Sequence, residues 1–258
     1  MRYRSLFSYY GAKSKLAHLY PKPKHDFIIE PFAGGASYAL LYRDRQVLIN
    51  DLDDKTIAIW KYLLRPDALD IWSKNVHLPI TAGSKISEVV SADCDRGLIY
   101  LLQAEANQGT QGARGVHDQV TKRGEKFFER LLRKMEFFLP QISHWQISHA
   151  SYETIPNQKA TWFVDPPYSN IAGSRYRCNL NTSDFISLQE WVKSRIGQTI
   201  TCENAGAAWD DFKPLRTRLG FKSSYQKSNA MEVFCERNTE DVFEELFCCD
   251  ALDCEKIE

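Results

Sequence analysis

Short apolar runs alternate with helical patterns along the first quarter of the chain. Residues 26–32 (DFIIEPF) and 47–50 (VLIN) are rich in β-branched or aromatic side chains, which is typical of strands. Residues 37–43 leave room for only a short helix between them, and residues 56–64 predict a second helix that ends before Pro66. Strand, helix, strand and helix at this spacing predict a βαβ unit with a parallel sheet.

A second group of strand-like runs follows the middle of the chain. These runs are residues 161–164, 199–202, 221–226 and 232–236. A helix is predicted over residues 188–195, between the first two of them. The two groups together predict one α/β domain whose sheet is interrupted in the sequence.

Residues 67–148 have a different pattern, in which helical stretches flank a polar, glycine-rich segment. Apolar side chains between Phe127 and Phe138 recur at helical spacing, as expected of a helix packed on a core. We therefore predict an α/β domain formed by residues 1–66 and 149–237 together. Residues 67–148 are predicted to be a helical insert, and residues 238–258 an acidic tail.

The composition, 258 residues with 43% hydrophobic side chains, suits a globular protein with a sizeable core. No run of 18 apolar residues predicts a membrane span, and the N-terminus lacks the apolar stretch of a signal peptide. The seven cysteines show no metal-ligand spacing and no CxxC pair, so reduced thiols in a cytoplasmic protein are expected.

The balanced charge, 33 basic and 33 acidic residues, hides an asymmetry. Residues 238–258 contain eight acids and one base, which leaves 32 bases and 25 acids in residues 1–237. A basic body suits a polyanionic partner such as nucleic acid. An ordinary solvated surface explains the same charge equally well.

The first candidate site is EPFAGGAS at residues 30–37, between a predicted strand and a helix. Gly34 and Gly35 allow a ligand to approach the backbone closely, but the spacing is not the GxGxxG of dinucleotide-binding proteins. It suits a smaller cofactor with a carboxylate and a nucleoside. A glycine turn that serves only chain geometry is the alternative.

The second candidate is Asp51, which follows the second predicted strand. An acid at this place in such folds commonly holds ribose hydroxyls. The alternative is a helix cap, which Asp51, Asp53 or Asp54 could each provide. The nearby glycine turn favours ribose binding by Asp51.

The third candidate is DPPY at residues 165–168, after another strand. Pro166 and Pro167 lack N–H donors, so Asp165 and the nearby carbonyls form a cluster of acceptors. Such a cluster suits a donor like an exocyclic amino group, and Tyr168 offers a stacking face to a flipped base. The alternative is a tight turn with a surface tyrosine.

Six motifs follow one another along residues 5–238. They are YYGAKSKL (9–16), EPFAGGAS (30–37), NDLD (50–53), DPPY (165–168), CEN (202–204) and MEVFCERN (231–238). In this order they resemble the motifs of the Dam-like DNA adenine-N6 methyltransferases, in the alpha arrangement. The resemblance implies a Rossmann-like methyltransferase sheet with a mostly helical target-recognition insert.

The resemblance also implies S-adenosylmethionine (SAM) as the cofactor. The residues implied to bind it are Tyr10 and Lys13 near its carboxylate, Phe32, Gly34, Gly35 and Ser37 around its methionine portion, Asp51 at the ribose, Tyr152 at the adenine, and Asp165. Tyr9 is the alternative to Tyr10 beside Lys13. Ser151 departs from the family pattern, which usually has an aspartate before the aromatic residue.

For catalysis, the resemblance implies that Asp165 and the Pro166 carbonyl accept hydrogen bonds from the target amino group, while Tyr168 stacks on the flipped adenine. The implied partner is double-stranded DNA, bound by a monomer of bacterial or phage origin that works alone or beside a restriction enzyme. Candidate DNA contacts are Arg114, His117, Lys122, Arg123, Arg175 and Arg177. Each of them could instead be a solvated loop charge.

Two other functions remain open at this point. A cytosine-N4 methyltransferase would use the same fold, although that class more often has serine at the position of Asp165. A non-catalytic DNA-binding module could retain the fold, although intact Lys13, Asp51 and Asp165 argue against such decay.

Overall fold

The computed structural model describes residues 4–77, 79–106, 119–120, 122–169, 173, 176–215 and 232–239, without the side chains at positions 123, 124 and 129. Its strands are β1 (Phe27–Glu30), β2 (Gln46–Asn50), β3 (Gln146–Ser148), β4 (Ala160–Val164), β5 (Gly197–Asn204), β6 (Lys213–Pro214) and β7 (Glu232–Thr239). They form a seven-stranded sheet in the order β3-β2-β1-β4-β5-β7-β6.

Strands β3, β2, β1, β4 and β5 pair in parallel, whereas β7 runs antiparallel to both of its neighbours. The carboxyl ends of β1, β2 and β4 therefore meet at one edge of the sheet. The helices are α1 (Ser37–Leu41), α2 (Asp54–Leu63), α3 (Ala68–Asn75), α4 (Ile86–Val89), α5 (Arg96–Ala106), α6 (Lys122–Ile142) and α7 (Thr182–Lys193). This mostly parallel arrangement confirms the predicted Rossmann-like α/β fold.

The core lies in two layers, one on each face of the sheet. On one face Tyr38 stacks on Phe163 with ring centroids 4.2 Å apart, in a cluster that continues into α2, α5 and α6. On the other face Trp162 meets Trp191 of α7 edge to face at 5.5 Å. Helix α5 packs on α2, so the core of residues 67–148 is continuous with that of the sheet.

The structure differs from the predicted elements at three places. Helix α7 begins six residues before the predicted start because Asn181 and Asp184 form a reciprocal capping box. Strand β3 lies at the end of the segment predicted to be a helical insert, and it pairs with β2. The two-residue strand β6, which was not predicted, pairs with β7. The strand predicted at residues 221–226 lies outside the described residues, and so does the acidic tail beyond Thr239.

The remaining elements have the predicted type. The long helix α6 includes the apolar stripe between Phe127 and Phe138. None of the helices in the described part of the chain is long and apolar enough to cross a membrane. The proposed division into domain, insert and tail stays a prediction.

Candidate active site

The three sequence motifs meet at the carboxyl ends of β1, β2 and β4. A cavity of about 530 Å³ opens at this edge of the sheet. Every residue predicted to bind the cofactor lines it: Tyr10, Lys13, Phe32, Gly34, Gly35, Ser37, Asp51, Tyr152 and Asp165. Residues scattered over more than half of the chain thus share one concave site, which is the usual form of a small-molecule pocket.

The glycine turn after β1 is shaped by backbone conformations that most residues avoid. Gly34 has φ +47° and Ala36 has φ +44°, both in the left-handed region. A Cβ atom on Gly34 would lie 2.5 Å from the Tyr9 ring, so glycine is required there for two reasons. The turn lets Tyr9 pack on the backbone and close one side of the cavity.

Buried polar groups lie beneath this turn. The Glu30 Oε1 atom accepts a hydrogen bond of 2.6 Å from the Ala39 amide, and burial raises the pKa of Glu30 to about 8. The hydroxyl of Ser37 is buried without a hydrogen-bond partner among the described residues. Because Ser37 lines the cavity, its hydroxyl is available to a ligand there.

Asp51 is held at the cavity wall by backbone donors. Its two carboxylate oxygens accept hydrogen bonds of 2.9 Å from the amides of Gly34 and Asp53. Burial raises the pKa of Asp51 to about 6, against the lowering effect of these bonds. The cap of α2 is Asp53, which accepts from the Thr56 amide. Of the three aspartates that could cap α2, Asp51 is therefore not the one used.

Aromatic rings line part of the cavity, and one of them, Tyr152, follows β3, which lies three strands away from the β4 that precedes Asp165. The Phe32 and Tyr152 rings lie 5.2 Å apart and tilted, and Tyr152 contacts Trp191 edge to face at 5.1 Å. The Ser151 hydroxyl donates to the Glu153 carboxylate, and Ser151 also lines the cavity. Flat apolar rings beside a few polar groups suit a planar heterocycle.

Another part of the cavity contains an ion-pair cluster. The Lys13 ammonium lies 2.8 Å from both oxygens of Asp165, with a hydrogen bond to Oδ2, and 3.5 Å from Glu232. Burial raises the pKa of Asp165 to about 6, although Lys13 opposes the shift. Burial disfavours the charge of Lys13, but Asp165 and Glu232 outweigh that penalty and raise its pKa.

The rest of DPPY is packed beside this cluster. The Tyr168 hydroxyl donates to Glu232 in a short hydrogen bond, and the Lys13 ammonium lies 4.7 Å from the centre of the Tyr168 ring. Pro166 is buried. Asp165 and Pro167, rather than Pro166 or Tyr168, line the cavity itself.

Comparison with known families agrees with this geometry. Residues 9–78 match the family of D12 class N6 adenine-specific DNA methyltransferases. The matched segment contains Lys13, the glycine turn and Asp51, and it confirms the resemblance to Dam-like adenine-N6 methyltransferases. It supports DNA adenine-N6 methylation as the general activity. No curated protein matches the chain.

The predicted DNA contacts fall in different surroundings. Arg177 pairs with Asp53 at 2.8 Å on the rim of the cavity, and Lys122 is exposed at the start of α6. Arg114, His117 and Arg175 lie outside the described residues. Arg123 lies within α6, but its side chain is outside the described part of the structure.

Two residues with clear places in the site had no predicted role. Glu232 joins the ion-pair cluster, and the Tyr176 hydroxyl donates to the Tyr10 carbonyl at the cavity wall. Asp53, predicted only as one of three possible helix caps, caps α2 and also pairs with Arg177. Glu232 stands within MEVFCERN, one of the six motifs that carry the resemblance to the Dam-like methyltransferases. Its partners could not be predicted because they are distant in the chain.

Proposed function

We propose that this chain transfers a methyl group from SAM to the N6 atom of an adenine extruded from double-stranded DNA. The observation that carries the proposal is the single cavity, which joins an aromatic wall, a ribose-type carboxylate and the Asp165 cluster. The D12 class match supports adenine as the base and DNA as the substrate. A cytoplasmic monomer is sufficient for such a reaction.

The cavity residues fit SAM in their chemistry. Asp51 offers carboxylate oxygens to the ribose hydroxyls, and Phe32 with Tyr152 offers flat faces to the adenine. The unpartnered hydroxyl of Ser37 and the turn at Gly34 are available to the methionine portion. When bound, SAM supplies an electrophilic methyl group on a sulfonium.

Asp165 prepares the attacking nitrogen. The lone pair of an adenine amino group is delocalised into the ring, so the group is a poor nucleophile. Hydrogen bonds from its two N–H groups to Asp165 and the Pro166 carbonyl would localise that lone pair. Asp165 Oδ1 lies 2.8 Å from the Lys13 ammonium and has no hydrogen bond from a second donor among the described residues, so it retains acceptor capacity.

Alignment supplies the rest of the rate enhancement. Holding nitrogen and methyl in line replaces a bimolecular encounter with a unimolecular step. The target base must first leave the helix, which costs a few kcal/mol. Stacking on Tyr168 would offset about 1–3 kcal/mol of that cost. The product proton leaves to Asp165 or to water.

The test is methyl transfer from labelled SAM to unmethylated duplex DNA, followed by nucleoside mass spectrometry. We expect N6-methyladenine from the native protein and a loss of at least about 1,000-fold in Asp165→Ala, because the acceptor for the amino group is gone. Asp70→Ala, which removes an exposed carboxylate from α3, is the matched control and should keep full activity.

Two outcomes would contradict the proposal in different ways. N4-methylcytosine as the product would retain the site but correct the base. SAM binding without transfer to any DNA would retain the cofactor and overturn the substrate. Sequencing of the modified positions then shows how strictly the target is recognised.

A further inference from the structure

Glu232 occupies a junction beneath DPPY. Its Oε1 atom accepts hydrogen bonds from the hydroxyls of Tyr20, at 2.9 Å, and Tyr168, and it lies 3.5 Å from the Lys13 ammonium. Its side chain is only 12% exposed. One carboxylate oxygen thus faces three donors that come from distant parts of the chain.

The backbone of Glu232 is fixed from both sides. It is the first residue of β7 and pairs with Asn204 at the end of β5. Its carbonyl accepts a hydrogen bond of 2.8 Å from the Leu215 amide. Because the sheet holds this position, the carboxylate is a rigid anchor rather than a mobile surface acid.

An anchored hydroxyl restricts the ring that carries it. A tyrosine held only at its backbone can turn about two side-chain torsions, and each conformation presents a different face. The bond to Glu232 ties the far end of Tyr168. Glu232 also attracts Lys13, so Asp165 does not hold that ammonium alone.

We propose that Glu232 is a positioning residue for the target base, acting through Tyr168 and Lys13. It fixes the stacking face of Tyr168 before the base arrives. By sharing Lys13 it leaves acceptor capacity on Asp165 for the amino group. This inference rests on the proposed function, because it presumes a base stacked on Tyr168.

The kinetic test uses single-turnover methyl transfer with Glu232→Ala, Tyr168→Phe and the double variant. Each single change should lower the rate about tenfold, the worth of one hydrogen bond to a charged group. The double variant should be no slower than the slower single variant, because both changes remove one interaction. The SAM concentration that gives half of the maximal single-turnover rate should stay within about twofold, since the Asp51 carboxylate and the Phe32 and Tyr152 rings are unchanged.

Two further variants serve as controls for this test. Glu232→Gln keeps a hydrogen-bond acceptor of the same shape and should restore most of the rate lost in Glu232→Ala. Tyr62→Phe removes a buried hydroxyl that donates to the Ala68 carbonyl away from the cavity, and it should leave the rate unchanged. A native rate in Glu232→Ala, or losses that multiply to about 100-fold in the double variant, would overturn the inference.

A readout without activity separates this inference from the proposed function. In protein labelled with 3-fluorotyrosine, the fluorine signals of Tyr168 and Tyr20 are assigned by their loss in the phenylalanine variants. Glu232→Ala removes the acceptor of both hydroxyls, so it should move both signals and leave that of Tyr62 in place. An unmoved Tyr168 signal refutes the role of Glu232 even if the native protein methylates DNA. A native protein that methylates no DNA refutes the proposed function instead.

Discussion

The two carboxylates of the cavity, Asp51 and Asp165, are alike in burial but differ in what holds them. Burial raises the pKa of each to about 6. Main-chain amides of Gly34 and Asp53 position Asp51, whereas the side chain of Lys13 positions Asp165. The Asp51 end is therefore built by the local path of the chain, and the Asp165 end by side chains.

This difference bears on how easily each end can change. Amides cannot be replaced by mutation without altering the turn, so the Asp51 position follows from the fold. The Asp165 cluster depends on Lys13, Glu232 and Tyr168, any of which can be substituted singly. Substitutions should therefore separate cofactor binding from methyl transfer.

The largest expected separation comes from Asp51→Ala compared with Asp165→Ala. Loss of a charged acceptor for the ribose should weaken SAM binding about 100-fold, or about 3 kcal/mol, in Asp51→Ala. Asp165→Ala should weaken SAM binding only about threefold, although the resemblance also places Asp165 at the cofactor, because its charged partner is Lys13 and not the ribose. Titration calorimetry measures the SAM affinity of both variants. Equal weakening in the two would contradict the idea that Asp51 serves cofactor binding and Asp165 serves methyl transfer.

A smaller effect is expected from Lys13→Gln at saturating SAM. Asp165 must be ionised to accept from the amino group, so native transfer should fall as the pH drops through about 6. Lys13 lowers the pKa of Asp165, and its loss should move this acidic limb upward by about one pH unit.

Single-turnover rates between about pH 5 and pH 9 measure this shift. At a pH near 6.5 the variant should be several-fold slower, with recovery at higher pH. Lys13→Arg keeps the positive charge and should retain the native midpoint. An unmoved midpoint in Lys13→Gln would show that the Lys13–Asp165 pair does not control the titration.

The smallest effect is expected from Arg177→Ala, which opens an exposed ion pair with Asp53 on the cavity rim. Such pairs contribute about 0–1 kcal/mol, so SAM release should quicken about threefold in stopped-flow measurements. Lys122→Ala, at the start of α6 and not among the residues that line the cavity, is the control for SAM release. If DNA affinity and its salt dependence fall instead, Arg177 contacts phosphate as the sequence suggested.

Local features of the chain explain which parts of the fold were predictable. Strands β1, β2 and β4 and the helix α2 follow from apolar runs and their flanking turns. The three residues of β3 are too few to give a pattern, and only their pairing with β2 reveals them. The early start of α7 was signalled by Asn181 and Asp184, a capping pair that the apolar pattern alone does not include.

The contacts of the site also differ in how far the sequence could predict them. Asp51 and the glycine turn are close in sequence, so their meeting could be predicted from one βαβ unit. Lys13 and Asp165 are 152 residues apart, and nothing local encodes their contact. Glu232 stands within the MEVFCERN motif, but its bond to Tyr168 forms only when β7 pairs with β5.

The antiparallel strand β7 also sets an order in time for a chain made from its N-terminus. Every residue assigned to the cofactor leaves the ribosome before Glu232 does. The Tyr20 hydroxyl donates to Glu232, which lies 212 residues further along the chain, and contacts between such distant residues form slowly. Until β7 docks, Tyr168 lacks its anchor and Lys13 has one carboxylate fewer. The nascent protein would thus complete the residues proposed to bind SAM first, and Tyr168 would gain its bond to Glu232 only when β7, the last strand of the described residues, has paired.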